Sequence, residues 1–363
     1  MAQSEKIDSQ ISQGVLSPLT QEHLFGHEDV EKNLRRLIAH NKLPHALLIT
    51  GPQGIGKATL AYRLSRFLCV SGKGSESEAT EKESLYVPSS HPIFRRFVQR
   101  SFGDFLAIPE GEEGAHAGSE IGIEAIRNVI QFLHQTPREG DVRCVLIDDA
   151  HLMNRNAANA LLKVLEAPPN HVFLILVTSK EHFMLPTLLS RVHKIRLSPL
   201  EKGVTQTIWR QNIEGITEED LIFLESFSEG SPGWGKNAQV LGGKAFYDHL
   251  ISFFEGCAVS SKSQDIPFDL IQTFLEKHKN AALSTDFIYG YFLKVLGVFL
   301  DFQQKNIASQ NKVPFPLSLA ERLDLWERIQ DILREALMFD LDMKQVLTCI
   351  FLKIHEAFSD LKS

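Results

Sequence analysis

The 363-residue sequence predicts an α/β fold, a parallel sheet with helices on both faces, followed by a small helical lid and an all-helical C-terminal bundle. Three observations lead there. Short apolar runs alternate with stretches of helical periodicity up to about residue 198, the pattern of a parallel sheet covered on both sides. A glycine-rich turn, Gly51 to Ala58, joins the first such run to a helix. Beyond Pro199 the strand signal vanishes and only helical spacing remains.

Residues 1–22 are polar and rich in Ser and Gln, which predicts a flexible arm. From Glu28 to His40 the apolar residues Val30, Leu34, Leu37 and Ile38 recur at helical spacing, with Lys32, Arg35 and Arg36 on a solvated face. Ala46 to Thr50 is a strand, and the turn after it follows the P-loop spacing G-x-x-x-x-G-K-[ST] up to its last position. Gly51, Gly54 and Gly56 let backbone N–H groups turn inward around a phosphate, and the following helix N-terminus adds partial positive charge. Lys57 would reach the outer phosphates. Ala58 stands where a hydroxyl normally holds Mg²⁺, so an ATP/Mg site would be weakened. Thr59 points about 100° away from that direction and can touch only a more inward phosphate.

Residues 70–120 read as a variable insertion: Ser71 to Ser84 and Pro109 to Ser119 are flexible, with a short strand at Phe105 to Ile108 between them. Ile123, Ile126, Ile130 and Leu133 line one side of a helix closed by Pro137 and Gly140. Val142 to Ile147 is a strand buried on both faces, and Asp148 and Asp149 stand at its carboxyl end, where open α/β sheets bind ligands. Asp148 is the candidate for holding Mg²⁺, although paired acids at a strand end also serve as turn or helix caps. A helix from Ala157 to Glu166 is stopped by Pro168 and Pro169. The next buried strand ends at Thr178, a further candidate nucleotide contact. A short helix from Pro186 to Ser190 leads to Arg191, and His193 to Leu197 alternates like an edge strand. Thr217 to Asp220 forms a capping box, Gly230 to Gly233 breaks the helix after it, and Leu323, Trp326, Ile329, Leu333 and Leu337 form a later helical stripe.

With 38 Lys plus Arg against 45 Asp plus Glu, no global positive field draws in nucleic acid, so any DNA contact is local or shared with partners. The four cysteines, Cys69, Cys144, Cys257 and Cys349, are far apart in sequence, without a C-x-x-C pair, which predicts reduced thiols in a cytoplasmic protein. The polar start lacks the apolar core of a signal peptide. Phe287 to Leu300 is too short to span a bilayer and contains Lys294, so it reads as a buried helix and no membrane partner is expected.

Taken in order, these motifs resemble the AAA+ clamp-loader family over roughly residues 23–240. Asn156 to Pro169 is similar to a stretch hardly seen outside these loaders. Leu185 to Val192 resembles the family's Ser-Arg-Cys motif, with Val192 in place of cysteine. The resemblance implies an AAA+ domain over 23–198, a lid over 199–240 and a helical collar for oligomerisation over 241–363. It implies other loader subunits of the gamma/tau and delta types as partners, with a sliding clamp and primer-template DNA reached through the assembly. It also implies that Arg191 acts in trans on ATP bound by an adjacent subunit.

Three departures accompany Ala58. Asp149 stands where active motors carry Glu, Trp234 where a sensing arginine is usual, and only Cys69 remains where relatives carry a four-cysteine zinc module, so no zinc is expected. The expectation is a largely non-hydrolysing scaffold with a degenerate ATP site. An active ATPase motor of the same family is the alternative, favoured by Lys57, Asp148 and Thr178. A P-loop kinase would need an arginine-rich lid over its acceptor, which the region after Pro199 does not offer.

Overall fold

The structure, a computed structural model, describes residues 17–71, 84–109, 120–213, 215–259, 268–281, 285–306, 317–339 and 341–359. The chain divides into two compact units, Met1–Lys236 and Asn237–Ser363.

The first unit is built on a five-stranded sheet in the order β2-β3-β4-β1-β5. Its strands are β1 (Ala46–Thr50), β2 (Phe105–Ile108), β3 (Arg143–Ile147), β4 (Val172–Thr178) and β5 (His193–Arg196), and every pairing is parallel. The continuous apolar runs of β1, β3 and β4 follow from burial on both faces. Alternation along the strands sorts the core into two layers. Leu47, Ile49, Ile175 and Val177 pack with Leu60 and Leu64 of α2 (Lys57–Ser71), above α1 (Glu28–Ala39). Ala46, Leu48, Leu174 and Leu176 pack on the opposite side. There they meet Ile126 of α4 (Ile123–Leu133) and Leu161 of α5 (Arg155–Glu166). On β5 only Ile195 is buried, as expected of an edge.

Two stretches depart from the sequence expectations. Residues 17–22 are fastened rather than loose. Leu19 is buried, and the buried guanidinium of Arg66 donates to the Leu19 and Gln21 carbonyls at 2.8 and 2.6 Å. The Glu22 carboxylate accepts from the Ser89 N–H and the Tyr86 hydroxyl at 2.8 and 3.1 Å. Isolated side chains far along the sequence hold this strap, so it has no periodicity to betray it. Residues 1–16 of the expected arm lie outside the described residues.

Within 70–120, residues 84–109 are core rather than insertion. Helix α3 (Pro92–Val98) starts with proline after His91, whose Nδ1 accepts from the Ile93 N–H at 3.2 Å, and it buries Phe94 and Phe97. The rest of the stretches expected to be flexible, 72–83 and 110–119, lies outside the described residues. Cys69 and Cys144, distant in sequence, are brought together by α2 lying on β3. The Cys69 thiol is pushed well above its usual pKa, by Cys144 first and by burial second.

Short helices follow the sheet: α6 (Pro186–Leu189), α7 (Lys202–Asn212), α8 (Glu218–Ser228) and α9 (Pro232–Leu241). The capping box of α8 is present, with the Asp220 N–H on the Thr217 hydroxyl at 3.1 Å and the Thr217 N–H on the Asp220 carboxylate at 3.2 Å. Trp209 is fully buried and donates to the Pro232 carbonyl at 3.1 Å.

The described residues of the second unit are helical, comprising α10 (Gly243–Val259), α11 (Phe268–Ala281), α12 (Thr285–Asn306), α13 (Leu319–Met338) and α14 (Met343–Ser359). Their core is aromatic, with Phe254, Phe274, Phe292 and Phe351 fully buried. Phe287 to Leu300 lies within α12 and is largely buried, as the sequence predicts. The stripe expected on α13 is rotated. Leu325, Ile329, Leu333 and Ala336 are buried, while Leu323 and Leu337 are 54% and 44% exposed. At about 100° per residue Leu323 lies roughly 120° around the helix from Ile329, too far to share its face. No helix among the described residues is long and apolar enough to cross a membrane.

Candidate nucleotide site and rim arginine

The turn between β1 and α2 takes backbone angles that suit glycine. Gly54 has φ +79°, and a Cβ there would lie 2.5 Å from the Ser231 Oγ and 2.6 Å from the Trp234 nitrogen. Four successive carbonyls of the turn are tied to separate donors. Pro52 O accepts from Lys57 Nζ at 2.6 Å, Gln53 O from the Ser231 hydroxyl at 2.6 Å, and Gly54 O from the Gly233 N–H at 2.9 Å. Ile55 O lies 2.9 Å from His27 Nε2, which must carry its proton to donate there. The loop is thus held by its own lysine, by the start of α9 and by the residue that precedes α1.

Lys57 is 7% exposed, and burial pushes its ammonium pKa down to about 8 against the upward pull of Asp148 and Asp149. Asp148 follows β3 and accepts the Asp149 N–H at 2.9 Å. Asp149 holds the left-handed conformation, φ 45° and ψ 46°, at a cost of about 1 kcal/mol for a residue with a Cβ. A cavity of about 280 Å³ opens beside them. Gly54, Gly56, Lys57, Thr59, Asp148 and Asp149 line it, together with the apolar residues Pro18, Leu24, Phe25, Leu200 and Ile208.

Most of the candidate residues therefore meet at one cavity. Gly51 stands behind it, packed so tightly that a Cβ would come within 2.5 Å of the Leu197 carbonyl. Thr178 is not among the residues that line it: Val177 and Ser179 are, and Thr178 between them is fully buried. Trp234 packs against Phe227, with ring centroids 5.2 Å apart.

Backbone N–H groups, a lysine and an apolar slot fit a nucleotide's phosphates and base. The donor set fits magnesium less well. Ala58 lines the cavity without a hydroxyl, which leaves the Asp148 and Asp149 carboxylates as the side-chain oxygens nearest the loop lysine.

Arg191 lies apart from this cavity, immediately before β5. Its Nε and one terminal nitrogen donate to the Glu166 carboxylate at 3.0 and 2.8 Å. The other terminal nitrogen donates to the Thr187 carbonyl at 2.9 Å and to the Ser190 hydroxyl at 3.2 Å. The ion pair is exposed at the rim of the sheet.

Residues 26–201 match the family described as DNA polymerase III, delta subunit. The match spans a little under half of the chain. The chain is similar to DNA polymerase III subunit delta' of Escherichia coli, 32% identical over 193 residues, 52% of each chain. The delta' subunit of Pseudomonas aeruginosa is 30% identical over 225 residues, 61% of this chain and 62% of the relative. Similarity to DNA polymerase III subunit gamma of Buchnera aphidicola is 26% over 220 residues, 59% of this chain and 56% of the relative. The chain thus spans a little over half the length of these curated relatives. Among solved structures, a DNA polymerase III gamma subunit-related protein from Thermotoga maritima shares 17% identity at a TM-score of 0.40, over 90% of this chain and 98% of that one. The RuvB Holliday junction branch migration motor of the same organism shares 14% identity at a TM-score of 0.39, over 93% and 91%.

The sequence reading of this domain missed His27 and His151, both of which bond to site segments. It took Ser231 and Gly233 as part of a helix-breaking turn, whereas both bind the P-loop carbonyls directly. Ser231 follows the helix-breaking glycine and Gly233 follows Pro232, a pattern that marks a turn but not its docking partner.

Proposed function

We propose that this chain is a delta-prime-type subunit of a DNA polymerase III clamp loader, a largely non-hydrolysing member of the ring that supplies Arg191 in trans to a neighbour's ATP. The carrying observation is the placement of Arg191 at an exposed rim, outside the chain's own cavity and pre-aimed by Glu166 and Thr187. An exposed pair of this kind is worth about 0–1 kcal/mol, so a neighbour's phosphate can displace Glu166. The guanidinium fork stays charged and can grip phosphate through two hydrogen bonds.

The chain's own cavity supports the non-hydrolysing half of this reading. Magnesium, when bound in such sites, neutralises charge on the phosphates, and Ala58 removes a hydroxyl ligand for it. Lys57 is engaged with Pro52 O, and Ser231 and Gly233 hold the loop from the lid side. The partners proposed are gamma/tau-type and delta-type subunits, with the sliding clamp and primer-template DNA reached through the complex. The helices beyond residue 241 are assigned to subunit association. An active motor remains the second reading, favoured by the open cavity onto which Lys57, Asp148 and Asp149 face.

The test reconstitutes the loader with wild-type partners and varies this subunit alone. Arg191→Ala should leave assembly intact and slow ATP-dependent clamp loading, by up to the roughly 10³-fold that arginine fingers contribute elsewhere. Arg191→Lys should rescue poorly, since a point charge lacks the fork. Wild-type rates with the alanine variant would make Arg191 an ordinary surface residue.

A further inference from the structure

Thr178 ends β4 fully buried, between two residues that line the nucleotide cavity. Its Oγ1 accepts the Lys180 N–H at 3.0 Å and lies 3.1 Å from His151 Nδ1. A hydroxyl has one proton to give. If Nδ1 is bare, that proton goes to His151 and the pair is satisfied. If Nδ1 carries a proton, Thr178 accepts twice and its own proton is buried without an acceptor, the costly case. Asp149 Oδ1, at 3.9 Å from the same Nδ1, is too far to compete as a hydrogen-bond partner. The Thr178 hydroxyl is satisfied by a ring that accepts at Nδ1 and carries its proton on Nε2.

This bond joins two turns with different duties. His151 sits in the 3₁₀ turn Ala150–Leu152, which follows directly from Asp149 in its left-handed conformation. Thr178 and Lys180 begin the segment that runs through Glu181–Phe183 into α6 and on to Arg191. The His151 ring also lines a second cavity of about 170 Å³ together with Met184, Leu185 and Leu188, so it faces the segment leading to Arg191 as well.

We propose that His151 is a positioning residue that, by accepting the Thr178 proton, locks the acid-bearing turn and the arginine-bearing segment in one arrangement. Thr178 is then a strut and not a ligand contact. The proposal rests on the reading of Arg191 as acting in trans, because that gives the arginine-bearing segment something to position.

The test has two arms. In the first, the full chain labelled at the histidine nitrogens is examined by NMR at mildly alkaline pH without nucleotide. The expected result is an unprotonated Nδ1 for His151, and in Thr178→Val a displaced Nδ1 resonance with the other tautomer appearing. A protonated Nδ1 in the wild type, or ring signals unchanged in Thr178→Val, overturns the proposal. In the second arm, the loader reconstituted with wild-type partners should hydrolyse ATP roughly fivefold more slowly with His151→Ala, the scale of one hydrogen bond. His151→Asn, which keeps an acceptor at similar reach, should restore most of the rate. Wild-type rates with His151→Ala overturn the proposal. If Arg191→Ala has no effect in the same assay while the tautomer result holds, the trans reading fails and the strut stands.

Discussion

Gly54 and Gly233 meet backbone to backbone: the Gly233 N–H donates to the Gly54 carbonyl at 2.9 Å, and a Cβ on Gly233 would lie 2.9 Å from the Gly54 Cα. Neither partner has a flexible side chain that could yield. Gly233→Ala should therefore destabilise the protein by about 1–3 kcal/mol, the usual range for overpacking. Chemical denaturation monitored by Trp209 and Trp234 fluorescence checks this, and an unchanged midpoint would show that the lid does not bear on the loop as described.

ATP turnover by the chain alone should fall below about 1 s⁻¹, the low end of ordinary enzymes. Any nucleotide binding that remains should be insensitive to magnesium chelation, because the loop lacks its hydroxyl ligand. Ala58→Ser should make that binding magnesium-dependent. Steady-state turnover abolished by Lys57→Ala, at or above that rate in the wild type, would favour the motor reading.

Burial of Lys57 has a pH signature with a definite sign. Its pKa falls from 10.5 to about 8 in the folded protein, so between those values the unfolded chain holds a proton that the native one has released. Stability contributed by this site therefore rises with pH across that window and is lowest below about pH 8, by up to about 3 kcal/mol. Lys57→Met should flatten the slope in denaturation series across the window. Phosphate affinity should move the other way, declining as pH rises through about 8.

Much of the first unit was legible because buried parallel strands announce themselves as unbroken apolar runs, and Ala46–Thr50, Arg143–Ile147 and Val172–Thr178 did so within a residue or two. The glycine-rich turn was legible because its chemistry depends on residue type at fixed spacing. Helix Pro92–Val98 was not, since seven residues between charged stretches carry too little periodicity and only Phe94 and Phe97 mark its inner face. The orientation of Thr178 was hidden for another reason: alternation assigns it to the face opposite Val177, but sequence does not say which face meets the P-loop helix. His151 was hidden because its partner lies 27 residues away on another strand.

Subunit association should depend on the second unit. Truncation near Gly243 should leave the first unit folded but excluded from the assembly. Met338 and Phe339, 70% and 66% exposed at the end of α13, offer apolar surface suited to association. Co-purification with the partner subunits decides this, and undiminished incorporation of the shortened chain would move the association surface to the first unit.

The strap at Leu19 to Glu22 sets a limit on how the protein can be trimmed or tagged. Arg66, buried and stacked 4.3 Å from the Phe94 ring centroid, is faced by two main-chain oxygens at Leu19 and Gln21, with the Glu22 charge also favouring its cation. Stranding a buried charge by removing its partners costs about 3–5 kcal/mol, a large part of the stability of an ordinary domain. A cleavable tag placed ahead of Ser17 leaves those oxygens in position. Cutting at Leu24, where a reader guided by composition alone would cut, takes them away together with Glu22 and leaves the guanidinium with the face of an aromatic ring in place of its carbonyl acceptors.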